Sequence, residues 1–273
     1  HLTVQTTNQL YTEYVTIVQK AADLNYASAV LGWDQEVYMP AKGADARARQ
    51  LATLATTAHE LLTSDHFGSL LSELSVACDL TDEQKCNILL SKEDYQKNKK
   101  LPHEFVEELS KLTSECFNAW IAAREKNDFN LFAPSLSKMV TLKRKQASLY
   151  GYQGHPYNAL LDEYEKGANI EMLDVVFNGI KEQLPLLLEK IKNAPQVSND
   201  CFHRNFPKQQ QWDFSIDVLK GMEFDFEAGR QDYSVHPFTT SFAPSDVRIT
   251  TRVDENNFSS MLWSCIHEGG HGL

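Results

Sequence analysis

His267-Glu268-Gly269-Gly270-His271 sets two histidines four residues apart, with a glutamate beside the first. On a helix, positions i and i+4 share one face about a turn apart, so both imidazoles can reach one Zn²⁺. The glutamate then stands next to the metal, where it can take a proton from bound water. This is the chemistry of metal-assisted hydrolysis, most often of a peptide bond. His267 and His271 are the candidate metal ligands and Glu268 is the candidate general base. A catalytic zinc normally takes three protein ligands, and no residue of this sequence identifies itself as the third.

The segment before the motif has to position it. Phe258, Met261, Leu262, Cys265 and Ile266 recur at helical spacing, which predicts a helix packed on a core rather than a solvated end with two surface histidines. Asn256 or Asn257 would cap it. Gly269 and Gly270 each disfavour a helix by about 1 kcal/mol relative to alanine. Either something approaches that backbone closely, such as a substrate or a packed strand, or the helix ends there with glycine as its cap.

Upstream, Asp246 to Val253 alternates with β-branched residues, and Met222 to Phe226 also alternates. Both read as short strands. An edge strand beside a metal could hydrogen-bond an extended peptide and hold its carbonyl there. Residues 1–220 read almost entirely as helix. Leu10, Tyr14, Ile17, Ala21 and Leu24 start a stripe that continues to Leu31, and Pro40 and Gly43 end that region. A second helix spans Asp45 to Leu62. Thr81-Asp82-Glu83-Gln84 opens a third, Pro102 a fourth, and Pro134 one that reaches Tyr150. Asn169 caps a helix with Ile170, Leu173, Phe177, Ile180 and Leu184 on one face, in which Pro185 predicts a kink. A further helix covers Pro207 to Lys220. The fold class is therefore mostly α, with a small antiparallel sheet next to the metal helix.

A chain of 273 residues, 42% hydrophobic, can bury a sizeable core. Its net charge of −11 disfavours nucleic acid and anionic membrane as partners. No apolar run approaches the length of a membrane span. His1-Leu2-Thr3-Val4 has neither a methionine nor a signal-peptide pattern, and His1 is read as a tag remnant outside the site argument. Five cysteines with no C-x-x-C fit free thiols in a reducing cytoplasm. Cys265 reads as core rather than ligand.

Several other residues could carry chemistry. His236, in His236-Pro237-Phe238, could hydrogen-bond a substrate, or could simply form a turn beside a packed phenylalanine. Asp246 and Arg248 fall on one strand face, where they could pair, brace a histidine ligand or be solvated. Trp33 to Pro40 is an aromatic and acidic cluster whose reading is packing, with Asp34 or Glu36 remote as metal ligands. Asp162-Glu163-Tyr164-Glu165 reads as a solvated helix end.

These segments together resemble the carboxypeptidase Taq family of metallocarboxypeptidases. The matching stretches are Trp33–Pro40, Tyr157–Glu165, His236-Pro237-Phe238, Asp246-Val247-Arg248-Ile249-Thr250 and His267–His271, in the family's order. Val37 stands where the family has threonine and Lys166 where it has proline. The resemblance implies a helical, cleft-bearing fold similar to neurolysin and angiotensin-converting enzyme. It implies removal of single C-terminal residues from peptides, zinc or cobalt as the metal, and a homodimer for the full-length enzyme. By this resemblance His267 and His271 are ligands, Glu268 is the general base, and His236 and Arg248 belong to the substrate cleft. It also implies a third ligand, a glutamate on a later helix that is not in these 273 residues, so residues 1–273 correspond to the N-terminal part of one catalytic domain. The alternatives are an endo-acting oligopeptidase of the same fold and an inactive helical fragment. A metzincin suits the long helical body poorly.

Overall fold

The computed structural model describes residues 5–273; His1, for which the sequence suggested a tag remnant, lies outside the described residues. Helix signals in the sequence become α1 (Thr7–Val37), α2 (Ala44–Thr63), α3 (Asp65–Ser75), α4 (Asp82–Asn98), α5 (His103–Lys126), α6 (Ala133–Tyr150), a short α7 (Asn158–Leu161), α8 (Ile170–Asn193), α9 (Lys208–Gly221) and α10 (Phe258–His271). The strands are β1 (Gly229–Tyr233), β2 (Thr239–Ala243) and β3 (Asp246–Thr251). None of the described helices is long and apolar enough to cross a membrane.

The helix ends follow local chemistry. Thr81 and Gln84 form a reciprocal capping box at the start of α4. Asn127, in the left-handed region at φ 49°, closes α5. The Asn169 side chain accepts from Met172 N at 2.8 Å and so caps α8. That helix continues through Pro185, and its apolar side chains, among them Phe177, Ile180 and Leu184, remain exposed.

Two compact units result. The first comprises the chain up to Leu31 and Pro40–Asp174, the second Gly32–Met39 and Val175–Leu273. In the first, Tyr14 of α1 stacks on Phe67 of α3, 6.1 Å between centroids and 8° between planes. They anchor a core with Leu70, Leu71, Leu74 and Ile88. A second core joins Phe105 and Leu112 of α5 to Leu142 and Tyr150 of α6. The acidic segment after α7 is tied in more than the sequence suggests. Glu163 accepts from Gln146 and from the Tyr150 hydroxyl, each at 3.0 Å. Asp162 takes the Gly167 amide at 2.9 Å and an ion pair from Lys97 at 3.4 Å. Glu163, Tyr164 and Glu165 are exposed, as expected for the stretch, while Asp162 is half-buried.

The second unit holds the sheet, in the order β1-β3-β2. It lies beside α10, the helix of the His267–His271 motif, as expected, but it is not antiparallel throughout. β2 runs antiparallel to β3, whereas β1 runs parallel to it. A parallel pair needs a long crossover connection between its strands, and the hairpin β2 lies within that connection. Met222–Phe226 forms no strand. It is a turn with Glu223 at φ 67°, and its alternate phenylalanines, Phe224 and Phe226, pack against each other and onto the core under α10.

Burial pushes the Tyr150 phenol up to about 12, from an ordinary 10.0, and the charge of Glu163 adds to it. A raised folded-state value favours the protonated phenol in the native protein. Its contribution is fully present below pH 10 and is lost as pH rises through about 12. Urea denaturation from pH 9 to 12 is expected to show a stability loss that is shallower in Tyr150→Phe.

Candidate metal centre

One face of the sheet carries α10. Alternation along β3 turns Val247, Ile249 and Thr251 to one side and Asp246, Arg248 and Thr250 to the other. Ile249 is fully buried with Met261 and Cys265 of α10, Leu219 of α9 and Phe224. Thr251 Oγ1 lies 2.8 Å from Ser264 Oγ. The Cys265 thiol donates to the Ser215 carbonyl at 3.5 Å, and burial pushes it up to about 11. It is a core residue, as the sequence suggests. The start of α10 is capped by Asn257, whose side chain accepts from Ser259 N at 3.2 Å. Phe258 packs against Phe206 and Phe214 there.

With this face fixed, the motif residues divide. His267 and His271 are exposed and Glu268 is buried. The two Nε2 atoms lie 3.3 Å apart, with the rings nearly perpendicular at 86°. Two nitrogens at about 2.0–2.1 Å from a tetrahedral Zn²⁺ are separated by about 3.3 Å, so this pair fits one ion between its Nε2 atoms. Among the described residues no group of three His, Cys, Asp or Glu side chains comes together to hold a metal.

The two glycines have different causes. A Cβ on Gly269 would come within 2.6 Å of Leu219 Cδ2 and 3.2 Å of Met222 Cε. Gly269 therefore permits close packing of α9 on α10. A Cβ on Gly270 would meet nothing within 4 Å. The helix does not end at the glycines but runs to His271.

The opposite face answers the question left open for Asp246 and Arg248. They pair with each other in a two-bonded fork at 2.9 and 3.0 Å. The Arg248 guanidinium lies 4.4 Å from the Trp33 ring and 5.0 Å from Phe242. Arg230, its register partner on β1, repeats the arrangement. It forks onto buried Asp232 at 2.6 and 2.8 Å and lies 5.3 Å from the same indole. Tyr38 donates its hydroxyl to Asp232, and that bond raises the phenol above its ordinary value. Trp33 is thus buried as the sequence suggests, on a sheet face that holds two neutralised arginines, while Tyr38 meets its ring edge-on but stays largely exposed. Glu36 is raised from the usual carboxylate range by burial.

His236 is exposed on a bend just before β2, and its carbonyl accepts from Ser234 Oγ at 2.7 Å. The residues after it carry a contact that the sequence reading missed. Phe238 N donates to Thr250 Oγ1 at 2.9 Å, and Thr250 N donates to the Phe238 carbonyl at 2.9 Å. The H-P-F and D-x-R-x-T segments are therefore one hydrogen-bonded unit. The next residue, Thr239, reaches Glu268: its hydroxyl lies 2.5 Å from Oε2 and 3.2 Å from the Glu268 carbonyl. A threonine opening a strand looks like an ordinary β-former. The available signal was its position directly after H-P-F.

The sequence model of the family described as carboxypeptidase Taq (M32) metallopeptidase matches residues 13–273. Carboxypeptidase 1 of Bacillus subtilis strain 168 is 34% identical over 263 residues, which cover 96% of this chain and 52% of that protein. A solved structure described as that of CHT is 53% identical, with TM-score 0.83 over 96% of this chain and 53% of that one. The M32 carboxypeptidase structure from Deinococcus radiodurans R1 is 34% identical, also with TM-score 0.83 and the same shares covered. The chain spans about half the length of the curated relatives it matches.

Gly269→Ala is expected to destabilise the protein by about 1–3 kcal/mol through overpacking against Leu219. Gly270→Ala should be neutral or stabilising by up to about 1 kcal/mol, since it gains helix propensity in open space. Urea denaturation of the two variants checks the contrast.

Proposed function

Because this chain belongs to the carboxypeptidase Taq (M32) metallopeptidase family, we propose that it carries the metal-binding and proton-transfer residues of a metallocarboxypeptidase acting on peptides. The observation that supports this most is the pair of imidazole nitrogens 3.3 Å apart with buried Glu268 in the adjacent helical position. His267 and His271 would hold a divalent ion, zinc in our reading with cobalt as the alternative, and such an ion polarises a scissile carbonyl and brings the pKa of its water toward neutrality.

The protein's own residues do the rest. Glu268 accepts the proton of the attacking water and delivers it to the leaving amine. Thr239 occupies Oε2, so the proton is taken at Oε1, which has no protein partner among the described residues. β3 is the central strand, so it cannot receive a substrate. β2 has a free outer edge among the described residues, and an extended peptide would add there by main-chain hydrogen bonds. His236, exposed on the bend at the start of that strand, lines the same cleft. Arg248, assigned to the cleft by the family resemblance, is held by Asp246 on the sheet face away from α10.

The absence of a three-residue metal group among the described residues favours a further reading of the same site. In this reading the third ligand comes from a segment beyond residues 1–273, within the length by which the relatives exceed this chain. The exposed apolar side chains of α8 would be covered by such a segment. The full-length enzyme would then be the active species, as a homodimer. The net charge of −11 and the five free cysteines suit an acidic cytoplasmic protein that binds peptides rather than nucleic acid.

Glu268→Gln in the full-length enzyme is expected to retain the metal and lose peptide turnover by at least about 100-fold, the scale of a general-base contribution. Metal analysis and release of C-terminal residues from test peptides check both halves. Normal hydrolysis by the variant would contradict the proposal, and so would loss of metal together with activity.

A further inference from the structure

We propose that Thr239 is the positioning residue for Glu268, its hydroxyl holding the carboxylate in the one orientation that leaves Oε1 free for the substrate water. This inference rests on the reading of Glu268 as the general base.

A glutamate on a helix has three rotatable side-chain bonds and no reason of its own to hold one rotamer. Burial narrows the choice, and a buried carboxylate also needs a donor. Thr239 is the donor the structure provides, 2.5 Å from Oε2. The same hydroxyl lies 3.2 Å from the Glu268 carbonyl, so one group on β2 measures both the backbone and the side chain of the base. No other side chain or backbone group among the described residues donates to that carboxylate.

The position of Thr239 is set independently of α10. It pairs in register with Ile249, which is fully buried, so both lie on the sheet face beneath the helix. Its neighbour Phe238 is fixed on Thr250 through two main-chain amides, one donating to a hydroxyl and one to a carbonyl. Ser234 Oγ, 2.6 Å from Thr250 Oγ1, adds a third tie. The H-P-F and D-x-R-x-T segments thereby place one hydroxyl against one carboxylate. The Thr239 hydroxyl touches no substrate in this scheme and acts only through Glu268.

The test compares Thr239→Val, which keeps shape without the hydroxyl, with Thr239→Ser, which keeps the hydroxyl without the methyl, in the metal-loaded full-length enzyme. Loss of a partner that orients a catalytic group costs about 10–100-fold. The valine variant is expected to lose that factor in kcat with KM and metal content unchanged. The serine variant should stay within about threefold of the parent enzyme. In the Glu268→Gln background the valine change should have no further effect. In metal-free protein carrying ¹³C-labelled glutamate, the Glu268 carboxyl resonance should move in the valine variant and stay in the serine variant. If valine impairs folding, Thr239→Ala removes the same hydroxyl and is read in the same way. A valine variant with unchanged kcat and resonance would overturn the proposal, and so would a serine variant as impaired as valine. An active Glu268→Gln enzyme would instead remove the base assignment itself, so the two failures are distinct.

Discussion

β3 is the strand on which the site depends. It is hydrogen-bonded on both sides, parallel to β1 and antiparallel to β2, so its register fixes both neighbours. One of its faces is buried under α10 through Ile249 and Thr251. Its other face holds the Asp246–Arg248 fork against Trp33, while Thr250 carries Phe238. Because side chains alternate strictly along a strand, a slip of one residue would exchange the two faces. The charged fork would enter the core under α10, and Ile249 would leave it. The cost of that exchange keeps α10 at one height and one rotation over the sheet.

That rotation decides what each residue of the motif can do. At 3.6 residues per turn, His267 and His271 lie about 40° apart around the helix, and Glu268 lies about 100° from His267. Turning Met261, Cys265 and Gly269 into the core leaves both imidazoles facing outward and brings Glu268 down to the sheet. The absence of a side chain on Gly269 lets Leu219 and Met222 approach closely enough to hold this pose. In the proposed reading the candidate ligands are thus exposed, and the candidate base is buried and oriented. A buried acceptor without a donor would cost about 1–3 kcal/mol, which Thr239 prevents.

The parts of the molecule that follow from local chemistry were legible in the residues. The α10 stripe, the Asn257 cap, the Thr81–Gln84 box, the β3 alternation and the core role of Cys265 all depend on neighbours within a few positions. The parts that failed depend on distant partners. Met222–Phe226 alternates because Phe224 and Phe226 both pack inward from a turn, and alternation alone does not separate that from a strand. The parallel pairing of β1 is set by a crossover, which no short window contains. β1 itself, Gly-Arg-Gln-Asp-Tyr, is too polar to read as a strand, because Arg230 and Asp232 neutralise each other on the sheet. Of the candidate site, the helix that carries His267, Glu268 and His271 was legible from spacing. The Thr239 contact was not, since it joins residues 29 apart in sequence through the geometry of the sheet.

Zinc K-edge X-ray absorption on the zinc-loaded protein tests the central claim most directly. The account predicts two imidazole nitrogens at about 2.0–2.1 Å from the metal, falling to one in His267→Ala and to one in His271→Ala. A histidine signature that is missing from the parent protein, or unchanged in both variants, would place the metal elsewhere and contradict the account.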